Sequence, residues 1–203
     1  MKMVDQLHAG IDAGIKRHWR YTKEMFNVKP EYLMTIAVAD ALSNGYDGID
    51  GIEVQIRLEY PTKHIAYQLV ADATSLKQWL LVKKDVKIER KGRADILATA
   101  HKKSQLVELK GFDPSKAQIE KELVRIQEFF MLNSGDNALV AGHIVFPSLI
   151  SCEERLHKYG SSLLKVPNLK FEVACRLQKT DEDPENGMPA YFTNSLSVTR
   201  VGG

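Results

Sequence analysis

The chain has 203 residues, of which 44% are hydrophobic and 27% charged, with a formal net charge of +2. That length suits one well-cored domain, residues 1–203, and the composition is that of an ordinary soluble globular protein. No apolar run reaches the roughly 18 residues needed to span a bilayer, and the near-neutral charge neither demands nor excludes nucleic acid. The opening "MKMVDQLHAGIDAG" lacks the apolar core of a signal peptide, so a cytoplasmic location is expected. Cys152 and Cys175 have no CxxC or histidine spacing and are expected to be reduced thiols.

Residues 5–26 carry Leu7, Ile11, Ile15 and Trp19 at four-residue steps, which predicts an amphipathic helix. A second helix is expected from Pro30, a favourable first position, to the Asn44-Gly45 stop. It is apolar on most faces, so it should be buried, with Glu31 in its first turn. "GYDGIDGIE" lacks the ligand spacing of a calcium loop and reads as a plain connector. In "IEVQIRLEYP", Ile52, Val54, Ile56 and Leu58 alternate with Glu53, Gln55, Arg57 and Glu59, the pattern of a strand. Residues 62–82 fit a strand or a short helix equally. In residues 83–93 basic residues outnumber acidic ones, which suits either a phosphate track or a solvated hairpin edge. A hairpin follows at 92–111. Then come a helix with Ile119, Leu123, Ile126 and Phe130 facing the core, an apolar strand at 138–147, a short helix, and two final strands. This order predicts an α/β domain on one central mixed β-sheet flanked by helices.

The hairpin "GRADILATAHKKSQLVELKG" raises a chemical question. Asp95 sits in one apolar run, and Glu108 and Lys110 interrupt the next. Side chains alternate faces along a strand, so an even-length turn brings the three charges onto one face. A two-residue turn at Lys102-Lys103, or a four-residue loop over His101–Ser104, sets Asp95 opposite Lys110 and Leu97 opposite Glu108. An odd turn would separate Asp95 from the other two. Two carboxylates in one cluster repel unless a cation neutralises them. Mg²⁺ takes one or two carboxylates and keeps its other positions for water and phosphate oxygens. That ligand set suits phosphodiester hydrolysis, and a nearby Lys can orient the attacking water. The alternative is a plain Asp–Lys cross-strand pair with Glu108 at the rim.

Asp95 in "GRADI", then Glu108-Leu109-Lys110 in "VELKG", resemble the PD-(D/E)XK nuclease superfamily, whose restriction-endonuclease-like core runs helix, three strands, helix, strand. Residues of about 30–146 resemble that order, with the N-terminal helix 5–26 and a C-terminal extension 147–203 outside it. Ala94 stands where the family motif has proline. The resemblance implies that Asp95 and Glu108 ligate Mg²⁺ (or Mn²⁺), with the Leu109 carbonyl a further ligand. Lys110 would position the nucleophilic water. Glu31 matches a glutamate on the first core helix and would hold a metal-bound water or a second ion, with Glu59 a rival for that place. A polar or basic residue on the helix after the motif is also implied, and Arg125 or Gln118 fits. The expected function is a metal-dependent nuclease acting on nucleic acid, with DNA the expected substrate. The alternative is a catalytically inactive nuclease-like module that binds nucleic acid or a partner protein. Sequence-specific cutting would draw on residues 1–26, the C-terminal third, or a homodimer partner. On residue type alone, Arg57 and Arg125 read as solvated surface, His101 as a turn residue too distant for a general base, and Trp19 and Trp79 as packing residues.

Overall fold

A computed structural model describes residues 3–24, 31–45, 54–71, 92–132, 138–179 and 187–201. The elements in chain order are α1 (Met3–Thr22), α2 (Glu31–Gly45), β1 (Gln55–Pro61), α3 (Thr62–Ala71), β2 (Arg93–Ala100), β3 (Lys103–Leu109), α4 (Lys116–Leu132), β4 (Ala138–Ser148), α5 (Glu153–Leu163), β5 (Leu169–Gln178) and β6 (Tyr191–Arg200). The six strands form one sheet in the order β1-β2-β3-β4-β6-β5. Among the described strands only β3 and β4 run parallel, and α4 makes the crossover between them. The mixed sheet flanked by helices is therefore as expected. The ambiguous span contributes α3, an extra helix between the first two strands. The basic run at 83–91, Trp79 and Pro30 lie outside the described residues.

Alternation along the strands divides the core into two layers. On one face Leu97, Leu106, Ile144, Phe146 and Leu196 pack against Ile119, Leu123, Ile126, Phe129 and Phe130 of α4 and against α3 and α5. On the other face Ile96, Val107, Leu109 and Val145 pack against α1 and α2. At roughly 1.5–3 kcal/mol for each large apolar side chain buried, these layers dominate the favourable side of folding. The two N-terminal helices lie close because glycines face the contact. A Cβ on Gly10 would lie 2.5 Å from the Val38 Cα, and one on Gly14 would lie 3.0 Å from the Met34 Cα.

The expected register of the hairpin needs correction. The chain reverses at His101-Lys102, not at Lys102-Lys103. Both residues have positive φ, 47° and 62°, as a type I′ turn requires. Ala100 pairs with Lys103, Leu97 with Leu106 and Ile96 with Val107. Leu97 therefore does not face Glu108, nor Asp95 Lys110. Continuing the ladder by one residue sets Asp95 against Glu108 itself. The turn is still two residues long, so the face shared by the charges survives the shift. The even alternation expected of β1 does not hold. Leu58 is 37% exposed on this edge strand, and Glu59 has a φ of 48°. Ile52 and Glu53 lie outside the described residues.

The turn offers a direct test of register. Non-glycine residues in the left-handed region cost roughly 1–2 kcal/mol each. Replacing His101-Lys102 with Asn-Gly should therefore stabilise the protein by about 1 kcal/mol in urea unfolding. A loss of stability would place the reversal elsewhere.

Candidate active site

Asp95 and Glu108 project toward α4 because Leu97 and Leu106, two residues away on the same strands, do so. The helix meets them with polar groups. Glu122 and Arg125 stand three residues apart on the stripe that also carries Ile119, Leu123 and Ile126, so they face the sheet as those residues do.

The contacts form one charged cluster. Asp95 Oδ2 accepts a hydrogen bond from the Leu109 backbone N–H at 2.7 Å, which ties the start of β2 to the end of β3. Arg125 Nη2 touches Glu108 Oε2 and lies 2.6 Å from Glu122 Oε2. Lys110 Nζ lies 3.0 Å from Glu122 Oε1. Glu108 is only 1% exposed and Glu122 only 5%. Proximity does not satisfy every group. Glu108 Oε1, Glu122 Oε2, and Arg125 Nε and Nη2 are buried with no hydrogen-bond partner of acceptable geometry among the described residues. A buried polar atom left unpaired costs about 1–3 kcal/mol, more when charged. The cluster therefore holds its parts at a cost in stability.

Burial is the main influence on both carboxyls. It pushes Glu108 up to about 8; the negative charges of Asp95 and Glu122 add to this, while Arg125 and Lys110 oppose it. Asp95 is likewise raised by burial and by Glu59, against the Leu109 hydrogen bond and the charges of Lys110 and Arg125. A carboxyl resisting its own ionisation gains most from a bound cation.

Among the other residues singled out from sequence, Glu31 opens α2, and its Oε1 accepts from the Gly111 N–H at 2.9 Å, immediately after Lys110. Glu31 thus reaches the chain leaving β3, but no contact joins it to Asp95 or Glu108. Glu59, exposed on β1, falls level with Asp95 in the β1–β2 register and acts on it through charge. Arg125 is not solvated surface: its side chain is 16% exposed and paired twice. Gln118 is exposed and engaged elsewhere. Its Oε1 accepts from Ser115 N at 2.8 Å, and Ser115 Oγ accepts in return from Gln118 N at 3.4 Å, a capping box that starts α4. Arg57 lies over the Tyr60 ring at 5.1 Å. Trp19 packs on the α1/α2 core, as a packing residue should. The residue that sequence reasoning missed is Glu122. Its signal was present: a glutamate three residues after Ile119 and four before Ile126 stands on the buried stripe.

Asp95 and Glu108 supply opposed carboxylates, with one Glu108 oxygen unpaired, which suits a divalent ion that keeps its remaining positions for water and phosphate. No group of three or more His, Cys, Asp or Glu residues is placed to hold a metal among the described residues. Cys152 and Cys175 are both free thiols. His8 and His143, both buried, are lowered to about 4, chiefly by burial, and hydrogen-bond to Thr193 and Ser195 and to Ser197 and Gln105 respectively, which marks them as internal supports. Among the described residues no helix is long and apolar enough to cross a membrane. The chain is thus an α/β protein with a charged cluster where two central strands separate. In comparisons with known proteins, no family model, no curated protein and no solved structure matches it.

The raised Glu108 carboxyl makes stability depend on pH. Between its ordinary value of 4.5 and its folded value of about 8, the native state holds a proton that the unfolded chain has lost. Stability contributed by that proton is present below the lower value and is lost as pH rises through the upper one. The unfolding free energy of wild type relative to Glu108→Gln should therefore fall between about pH 5 and about pH 8. Urea denaturation of both proteins measures this, and a difference that stays flat would mean Glu108 ionises as an ordinary carboxylate.

Proposed function

We propose that this protein is a metal-dependent nuclease with a restriction-endonuclease-like core, hydrolysing phosphodiester bonds in DNA. One observation carries the reading. Asp95 and Glu108 each lie one residue beyond the last ladder pair of adjacent central strands, Ile96 and Val107, with a buried Glu108 oxygen unpaired, and Lys110 follows two residues later on the same face. The order α2, β1, β2, β3, α4, β4 supports it, since this is helix, three strands, helix, strand with α3 inserted.

In this reading Asp95, Glu108 and the Leu109 carbonyl would hold Mg²⁺, or Mn²⁺ in its place. The ion would supply Lewis-acid polarisation of the phosphate and lower the pKa of bound water. The protein's own groups do the rest. The Leu109 N–H fixes one Asp95 oxygen, leaving the other for the cation. Glu122 holds the Lys110 ammonium, which orients the attacking water and meets developing negative charge. Glu31, whose Oε1 accepts from the Gly111 N–H on the α2 side of the sheet, would hold a metal-bound water or a second ion, with Glu59 its rival beside Asp95.

A second reading has an observation of its own. Arg125 already neutralises Glu108. In a catalytically inactive module that binds nucleic acid or a partner protein, that guanidinium would stand permanently where a metal works.

Plasmid cleavage with Mg²⁺ separates the two. Asp95→Asn and Lys110→Met should each lower the cleavage rate at least about a hundredfold while the thermal midpoint stays near that of wild type. Undiminished cleavage by either folded variant would remove the nuclease assignment.

A further inference from the structure

Arg125 and Glu122 form an arrangement that the hydrolytic reading does not use. The guanidinium is wedged between two buried carboxylates, in contact with Glu108 Oε2 and 2.6 Å from Glu122 Oε2. It is badly seated there, because Nη2 touches both oxygens and hydrogen-bonds to neither, and Nε is also unpaired. A buried charge moves only if another partner accepts it, since stranding it alone is strongly unfavourable. Glu122 is such a partner. It lies on the same helix, one turn away, and Lys110 already holds its other oxygen.

We propose that Arg125 is a resident counter-ion on Glu108 that a divalent cation displaces, and that Glu122 is the carboxylate to which it withdraws. Metal loading and Arg125 position then form one equilibrium. Without metal, the guanidinium rests against Glu108. With metal, it pairs with Glu122 and leaves Glu108 free to coordinate. This makes Glu122 a positioning residue that acts through Arg125. The inference rests on the metal-site reading. It adds that the site is gated by its own arginine.

Simple charge arithmetic also lets Arg125→Met tighten a nearby cation and Glu122→Gln weaken it, so single variants do not decide the matter. Their coupling does. Mn²⁺ alone is titrated calorimetrically into wild type, Glu122→Gln, Arg125→Met and the double variant, near pH 8.5 so that Glu108 is largely ionised. Glu122→Gln should weaken Mn²⁺ about tenfold in the wild-type background, because Arg125 then has only Glu108 to hold. In the Arg125→Met background the same substitution should change affinity less than about twofold. Equal effects in both backgrounds would show independent charges and overturn the gating. Arg125→Lys guards against loss of fold in Arg125→Met: the ammonium keeps the charge but lacks the planar fork of the guanidinium, and its cycle should show the coupling reduced. Full coupling with lysine would equally overturn the proposal. If wild type binds no Mn²⁺ at millimolar concentration, the metal-site reading falls and the gating with it. Binding with additive effects removes the gating alone.

Discussion

A carboxylate in a protein interior must be neutralised, and Glu108 sets that problem for this fold. It lies under α4 at the end of a central strand, opposite a second acid and beside a third. Replacing it with leucine would continue the apolar layer that Leu97 and Leu106 begin. The chain instead places a largely buried arginine against it and an equally buried lysine on neighbouring Glu122, and leaves four polar atoms unpaired. Stability alone does not account for that choice, because hydrophobic replacement of buried ion pairs is often neutral or favourable. Strained charge of this kind concentrates at functional sites.

The neighbouring architecture follows from that cluster. The hairpin must hold Asp95 and Glu108 on one face, which the two-residue reversal at His101-Lys102 achieves at the cost of two positive-φ residues. Beyond Ile96 and Val107 the Asp95 side chain takes over from the backbone ladder by bonding Leu109 N. The capping box at Ser115 starts α4 so that Glu122 and Arg125 arrive over the gap. Glu31 ties α2 to the same chain segment from the other side of the sheet.

Much of this was legible in the amino-acid sequence. Period-four apolar residues marked α1 and α4, and the unbroken apolar run marked β4, because those patterns depend on local geometry and burial alone. The charges of the hairpin were legible as a cluster because face depends only on the parity of the turn. Their exact partners were not, because the choice between His101-Lys102 and Lys102-Lys103 rests on backbone angles that neither pair advertises. Arg125 looked like surface because long basic side chains usually are. Its burial is a tertiary fact, fixed by where α4 crosses the sheet. Glu122 differs: its place on the apolar stripe is visible in the sequence, but a glutamate in a helix with many charges reads as solvated until the packing is known. Glu31 and Glu59 both lie at the margins of the cluster, and spacing along the chain could not rank two residues held by different elements.

Whether Asp95 and Glu108 together take a divalent cation is tested most directly by a crystal soaked in Mn²⁺ and measured by anomalous diffraction. The expected result is one anomalous peak between the two carboxylates, with the Arg125 guanidinium moved off Glu108 and onto Glu122. No peak at that place, with Arg125 still seated on Glu108, would contradict it.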